Sequence, residues 1–324
     1  MKELKTKVLL DDLLKVWETG DASIKVPMAI DAFAHISMLG NFYEEDGMKK
    51  AFAQRGERPA VLKIEIIGYE EFIKGKSGQQ YATIVGWFVE TGTKSLPLHL
   101  SFAGTFVNDV LFEENQWKFK KVRFELQEED RVRKAWMSPE GLIYRDIGHG
   151  DMSFISHWKT IDDRTTNFMI PLENMGARVL VPEMDAPWFN YPDKENVGND
   201  EEQLEDIFLR YCYAYDHYTI KLLDDIFAED MKYDCGLRIY NKREATGYLK
   251  LLRMGTPRCF NAGRFTEIKI NGNEAECKVE RIEPALATKL TAPESVDDMA
   301  CGEYVFHAVK KDGKWKMNSF KYEV

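Results

Sequence analysis

Near the start of the second half of the chain, residue types and spacing suit acid/base chemistry. Leu204, Ile207, Phe208, Tyr211 and Tyr215 recur at helical intervals and make one apolar stripe, so Tyr215 is expected to turn inward. Asp216 follows Leu209 and Cys212 on the adjacent strip, which sets its carboxylate at the border of the core. A desolvated carboxyl holds its proton more tightly and becomes a general base or acid near neutral pH, and a neighbouring Tyr hydroxyl can polarise a substrate carbonyl. The competing reading makes Asp216 a solvated or capping residue and Tyr215 plain core.

Further candidates lie downstream. His307 alternates with Val305 and Val309 on the penultimate strand; it is an acid/base partner if that face lines the inside of the sheet, and otherwise a satisfied, half-buried histidine. Tyr233 and Cys235 share one strand face with Asp234 on the other, and Cys235 has no evident histidine partner to make it a nucleophile. Tyr211, Tyr233 and Cys235 are read as substrate-binding. Arg258 joins them, either holding a carboxylate, enolate or phenolate oxygen or forming a surface salt bridge, because a guanidinium does not deprotonate. His217 is expected to face outward. No metal-ligand spacing, phosphate loop, Ser-His-Asp arrangement or nucleotide fingerprint occurs, so neither a metal nor a cofactor is expected.

The elements that position these residues emerge when the chain is compared with itself. Residues 104–126 align without a gap on residues 302–324, matching Gly104 to Gly302, Phe106 to Tyr304, Trp117 to Trp315 and Phe124 to Tyr322. Each copy reads as a strand, a polar turn and a second strand restarting at the Trp. Upstream, residues 30–34 resemble 224–228, and helices are expected over 44–54 and 243–253. A strand pair then follows in each copy. The order is expected to be helix, helix, short helix and several antiparallel strands, twice over, which means α+β with helices on one face of a curved antiparallel sheet. The expected domains are 1–130, a degenerate first copy, and 200–324. Residues 131–199, bearing Trp and Pro, form an inter-domain segment expected to pack.

Composition agrees with two domains: 324 residues with 44% hydrophobic content can supply a core to each. A formal net charge of −10 argues against a nucleic-acid partner, and the basic run Lys118, Lys120, Lys121 and Arg123 reads as the solvated face of a strand. An odd count of 5 cysteines without a CxxC pair suggests a reduced, cytoplasmic chain. No apolar run reaches the ~18 residues of a membrane span, and no signal peptide is read.

The stretch EEQLEDIFLRYCYAYDHYTIKLLDDIFAEDMKYDCG, with the closing Lys-Asp-Gly-Lys-Trp hairpin, resembles the SnoaL-like branch of the nuclear transport factor 2-like superfamily. The resemblance covers residues 200–324 and reaches 1–130 through the repeat. It implies two cone-shaped, cystatin-like domains. Within the superfamily, Tyr215-Asp216 is similar to the Tyr-Asp pair of scytalone dehydratase-type enzymes. By that comparison Arg258 stands at or near the family's catalytic histidine, and Cys235 near a substrate-holding tyrosine. The implied activity is a cofactor-independent lyase, dehydration before isomerisation or cyclisation, on a small, mostly apolar, oxygenated ring compound of polyketide, steroid-like or phenolic kind. The rival is a non-catalytic ligand-binding or assembly module. A small-molecule partner is expected, and no membrane. The duplication suggests an internal pseudo-dimer, with pairing of whole chains left open.

Overall fold

Two tight hairpins organise the two halves of the chain. The computed structural model describes residues 4–36, 40–53, 60–90, 101–129, 179–255, 260–284 and 294–323. In the first half, β5 (Ser101–Glu113) and β6 (Gln116–Glu129) turn at Glu114-Asn115, whose φ angles are 51° and 61°. In the second half, β11 (Ala300–Lys311) and β12 (Lys314–Glu323) turn at Asp312-Gly313, with φ of 52° and 75°. Two successive left-handed residues give the turn whose twist matches that of the flanking strands.

Around each hairpin the same sheet is built. The first half runs α1 (Lys7–Thr19), β1 (Met28–Ile36), β2 (Gly40–Tyr43), α2 (Glu44–Ala53), β3 (Ala60–Lys74), β4 (Ser77–Glu90), β5 and β6. After α3 (Pro187–Asn190), the second half runs α4 (Asp200–Asp216), α5 (Leu222–Ile226), β7 (Phe227–Asp234), β8 (Ile239–Tyr240), α6 (Lys242–Gly255), β9 (Gly263–Asn271), β10 (Glu274–Ile282), β11 and β12. Strand order is β2-β1-β6-β5-β4-β3 in one sheet and β8-β7-β12-β11-β10-β9 in the other, so the duplication extends to topology. The aligned glycines play the same part. A Cβ on Gly104 would meet the Phe124 ring at 2.4 Å, and one on Gly302 would meet the Tyr322 hydroxyl at 2.7 Å, so each makes room for the aligned aromatic.

Three expectations need correction. An unforeseen strand pair, β1-β2 and β7-β8, comes before α2 and α6, in addition to the expected pairs β3-β4 and β9-β10 after them, and residues 30–34 lie within β1 whereas 224–228 span the end of α5 and the start of β7. The sheets are mixed and not purely antiparallel, because β1 pairs parallel to β6 and β7 parallel to β12. The third concerns the basic run on β6, which is not a solvated face. Arg123 is 2% exposed and bonds Asp109 (2.7 Å), Asp185 and the Val107 carbonyl.

That burial follows from what covers sheet one on both faces. On one side α1 drives Trp17 into its centre, 5.5 Å from Phe52 and from Phe102 and 5.2 Å from Phe124. On the other, residues 179–191 and α4 pack against it: Tyr81 lies 5.1 Å from Trp188 and 5.6 Å from Tyr213, and a Cβ on Gly68 would meet Leu209 at 2.4 Å. Polar side chains stitch this contact. Glu125 accepts the backbone N–H groups of Val179 and Leu180, each at 3.0 Å. Lys194 bridges Glu70 and Asp206, and Asp206 also accepts from Trp188 Nε1 at 2.9 Å and Arg210 at 3.0 Å.

Asp206 gives this contact a pH dependence. Burial pushes its carboxyl up, but Arg210, Lys194 and the Trp188 N–H outweigh that and lower it from 3.8 to about 2. A carboxylate depressed by folding adds stability above its unfolded value and loses it as pH falls toward the folded one. The wild-type protein is therefore expected to exceed Asp206→Asn by about 2 kcal/mol in urea unfolding at about pH 6. That gap should narrow by more than half at about pH 2.5, and a constant gap would show that the pairing adds nothing.

Candidate functional site

Helix α4 is anchored at both ends. Asn199 Oδ1 accepts the Glu202 N–H at 2.9 Å while the Glu202 carboxylate accepts the Asn199 N–H at 2.8 Å, a reciprocal cap, and Asp200, Glu201 and Glu202 sit at the positive end of the helix dipole. From this start the helix lays an aromatic strip across sheet two. Phe208 stacks parallel to Phe306 at 6.1 Å, Tyr211 lies 4.6 Å from Phe320, and Tyr233 from β7 stacks on Phe320 at 5.4 Å. Tyr215 is half-buried against the same cluster.

Asp216 ends the helix at 2% exposure. Its Oδ2 accepts the backbone N–H of Asn261 at 2.9 Å, and its Oδ1 the side-chain N–H of the same residue at 2.6 Å. Asn261 Oδ1 in turn accepts the Tyr304 hydroxyl at 3.0 Å. Two N–H donors stabilise a carboxylate in a place where burial alone would penalise it, and they set its direction. An amide is a poor proton relay, so Asn261 orients Asp216 and links it to the aromatic interior through Tyr304.

The tyrosines here are donors. The hydroxyls of Tyr211 and Tyr233 are 3.4 Å apart. Burial pushes the Tyr233 phenol up to about 12 and Tyr211 well above its ordinary value. Tyr304 is also raised by burial, with the positive charge of Arg281 pulling the other way. Phenols that stay protonated serve to hold a developing oxyanion and not to take a proton.

The structure does not bring every candidate to this place. His307 is exposed on β11, on the opposite face from buried Tyr304, Phe306 and Ala308, so it does not reach Asp216; the alternation with Val305 and Val309 marks the outer face. His217 is the reverse case. Expected outside, it is 2% exposed, because the side of α4 turned from sheet two meets sheet one. Arg258 lies outside the described residues. Cys235 is half-buried at the end of β7. Burial raises its thiol, yet the N–H groups of Leu237 and Arg238 and the hydroxyls of Tyr248 and Tyr240 lower it overall. In the first copy Asp21 is exposed in the turn after α1, where it accepts the Ser23 N–H at 2.8 Å. Among the described residues no group of three or more His, Cys, Asp and Glu side chains is placed to hold a metal ion. No helix there is long and apolar enough to cross a membrane.

Sequence reasoning missed Asn261, Tyr304 as a polar group, and Arg281. Asn261 sits in a short connection with no pattern to mark it. For Tyr304 a signal existed: it aligns with Phe106, and Tyr322 with Phe124, so the second copy carries hydroxyls where the first has plain rings. Arg281 donates to the Tyr322 hydroxyl at 3.3 Å and pairs with Glu283 at 2.9 Å.

Residues 198–321 match the family model of the SnoaL-like domain. No curated protein matches the chain. Similar solved structures include a type 2 hexachlorocyclohexane dehydrochlorinase, LinA, with 12% identity, 38% of this chain and 86% of that one covered, and a TM-score of 0.32. A candidate scytalone dehydratase from Novosphingobium aromaticivorans DSM 12444 has 11% identity, coverage of 38% and 82%, and a TM-score of 0.32. A nuclear transport factor 2-like superfamily protein from Salmonella enterica serovar Typhimurium LT2 has 8% identity, coverage of 36% and 84%, and a TM-score of 0.30. Residues 198–321 thus match the SnoaL-like domain, and the first half of the chain repeats the sheet order of the second.

Proposed function

We propose that the second domain is a cofactor-independent lyase or isomerase acting on a small, mostly apolar, oxygenated ring compound. The observation that carries this reading is a buried carboxylate, Asp216, oriented by Asn261 and joined through Tyr304 to an interior of protonated tyrosines. Asp216 takes the proton next to a substrate carbonyl, and the electron pair moves onto the carbonyl oxygen as an enolate. A tyrosine hydroxyl, from Tyr211, Tyr233 or Tyr304, holds that oxygen while the charge is present. In dehydration the enolate collapses and expels the β-hydroxyl, which leaves as water with the proton that Asp216 removed. The same base and donors without a leaving group give isomerisation. The aromatic side chains of this interior suit an apolar ring, and a ring bound among them would exclude water and strengthen both interactions.

A second reading, a ligand-binding module without catalysis, is favoured by one observation: both oxygens of Asp216 are engaged by Asn261. The two readings part in one assay. Incubation with a panel of cyclic β-hydroxy ketones, followed by enone absorbance, is expected to show turnover. Asp216→Asn should lower it by about 10²-fold or more, and Tyr304→Phe by less. Binding of the same ketones, seen as a change in protein fluorescence, without any enone formation would leave the binding module standing and remove the enzyme.

A further inference from the structure

The end of α4 is gripped from the first domain. His217, the residue after Asp216, closes the helix with its N–H on the Tyr213 carbonyl at 3.0 Å, and Thr219 returns to Ala214 at 2.8 Å. Its ring lies between two side chains of β6: Gln127 Nε2 at 3.1 Å from His217 Nε2, and Glu125 Oε1 at 3.4 Å from His217 Nδ1. All three are buried, at 2% exposure for His217, 8% for Glu125 and 4% for Gln127.

Hydrogen-bond direction makes this contact specific. Thr105 on β5 donates to Gln127 Oε1 at 2.8 Å, so the amide oxygen of Gln127 faces Thr105 and its NH₂ faces the imidazole. His217 Nε2 then accepts, which leaves the ring proton on Nδ1, the nitrogen 3.4 Å from Glu125 Oε1. The other oxygen of Glu125 holds the Val179 and Leu180 N–H groups, so the carboxylate has little freedom to turn. The second strand of the first copy's hairpin thereby fixes the orientation of the residue directly behind Asp216. In the first copy the centre is filled by Trp17, and Asp21, in the turn after α1, is exposed.

We propose that Gln127 and Glu125 of the first domain are positioning residues for Asp216, acting through His217, and that the duplicated domain serves the site in this way. The proposal rests on Asp216 being the acid/base group, and its test includes a readout that needs no substrate. In the full chain with ¹³C-labelled aspartate, the Asp216 carboxyl resonance is identified by its loss in Asp216→Asn. It is then followed in Gln127→Leu and in the milder Thr105→Val, which frees the Gln127 amide to turn. The expected result is a displaced Asp216 resonance in both variants. With the ketone panel, kcat should fall about 10- to 100-fold while KM stays within roughly twofold, and Gln127→Leu should cost nothing further in the Asp216→Asn background. An Asp216 resonance at its wild-type position in a folded variant overturns the proposal. Should Gln127→Leu fail to fold, Thr105→Val decides the matter. Failure of the underlying reading shows separately, as full turnover by Asp216→Asn, and the resonance still tells whether the first domain sets Asp216.

Discussion

Everything in this molecule turns on one helix being buried from two sides. Helix α4 gives Leu204, Phe208 and Tyr211 to sheet two and Leu209 and Tyr213 to the contact with sheet one. A polar side chain on either covered face of such a helix must carry its partners with it. Asp206 does so with Trp188, Lys194 and Arg210, His217 with Glu125 and Gln127, and Asp216 with Asn261. Such groups are costly to bury and are held tightly once paired. The same cost that makes them poor stabilisers makes them good at setting direction.

What the sequence revealed and what it hid divide along the same line. The hairpins, their turns and the duplication were legible because they are local: alternation has period two, a tight turn needs residues that accept positive φ, and a repeat compares the chain only with itself. The apolar stripe of α4 was equally plain, down to Tyr211 and the inward border position of Asp216. A stripe tells which face of an element is buried first. It is silent about a second face covered by residues far along the chain.

Both burial errors come from that silence. Arg123 alternates with Val122 and Phe124 and reads as solvated, and His217 is one step round the helix from the stripe and reads as exposed. Arg123 lies on the face that the inter-domain segment covers through Asp185, and His217 on the face that meets the other domain. The unforeseen strand pair before α2 and α6 has a related cause. Residues 224–228 and 30–34 look alike in sequence, but pairing with β12 and β6 decides where each strand starts, and that pairing joins segments about 90 residues apart.

The repeat then acquires a physical meaning beyond ancestry. Two copies of one strand order differ in what fills their interiors. In the first copy Phe106 and Phe124 close around Trp17, giving a packed aromatic core. In the second, the aligned Tyr304 and Tyr322 bring hydroxyls to the same places, and Asn261 ties one of them to a carboxylate. A site that depends on a carboxylate held in one direction benefits from a neighbour that does not move, because orientation at the reacting centre is lost to small displacements of its supports. The first copy, with an aromatic core inside and both apolar contacts and the polar pair Glu125 and Gln127 on the face it turns to α4, has the properties such a support requires. The same duplication thus supplies a packed aromatic core in one copy and a hydroxyl-bearing interior in the other.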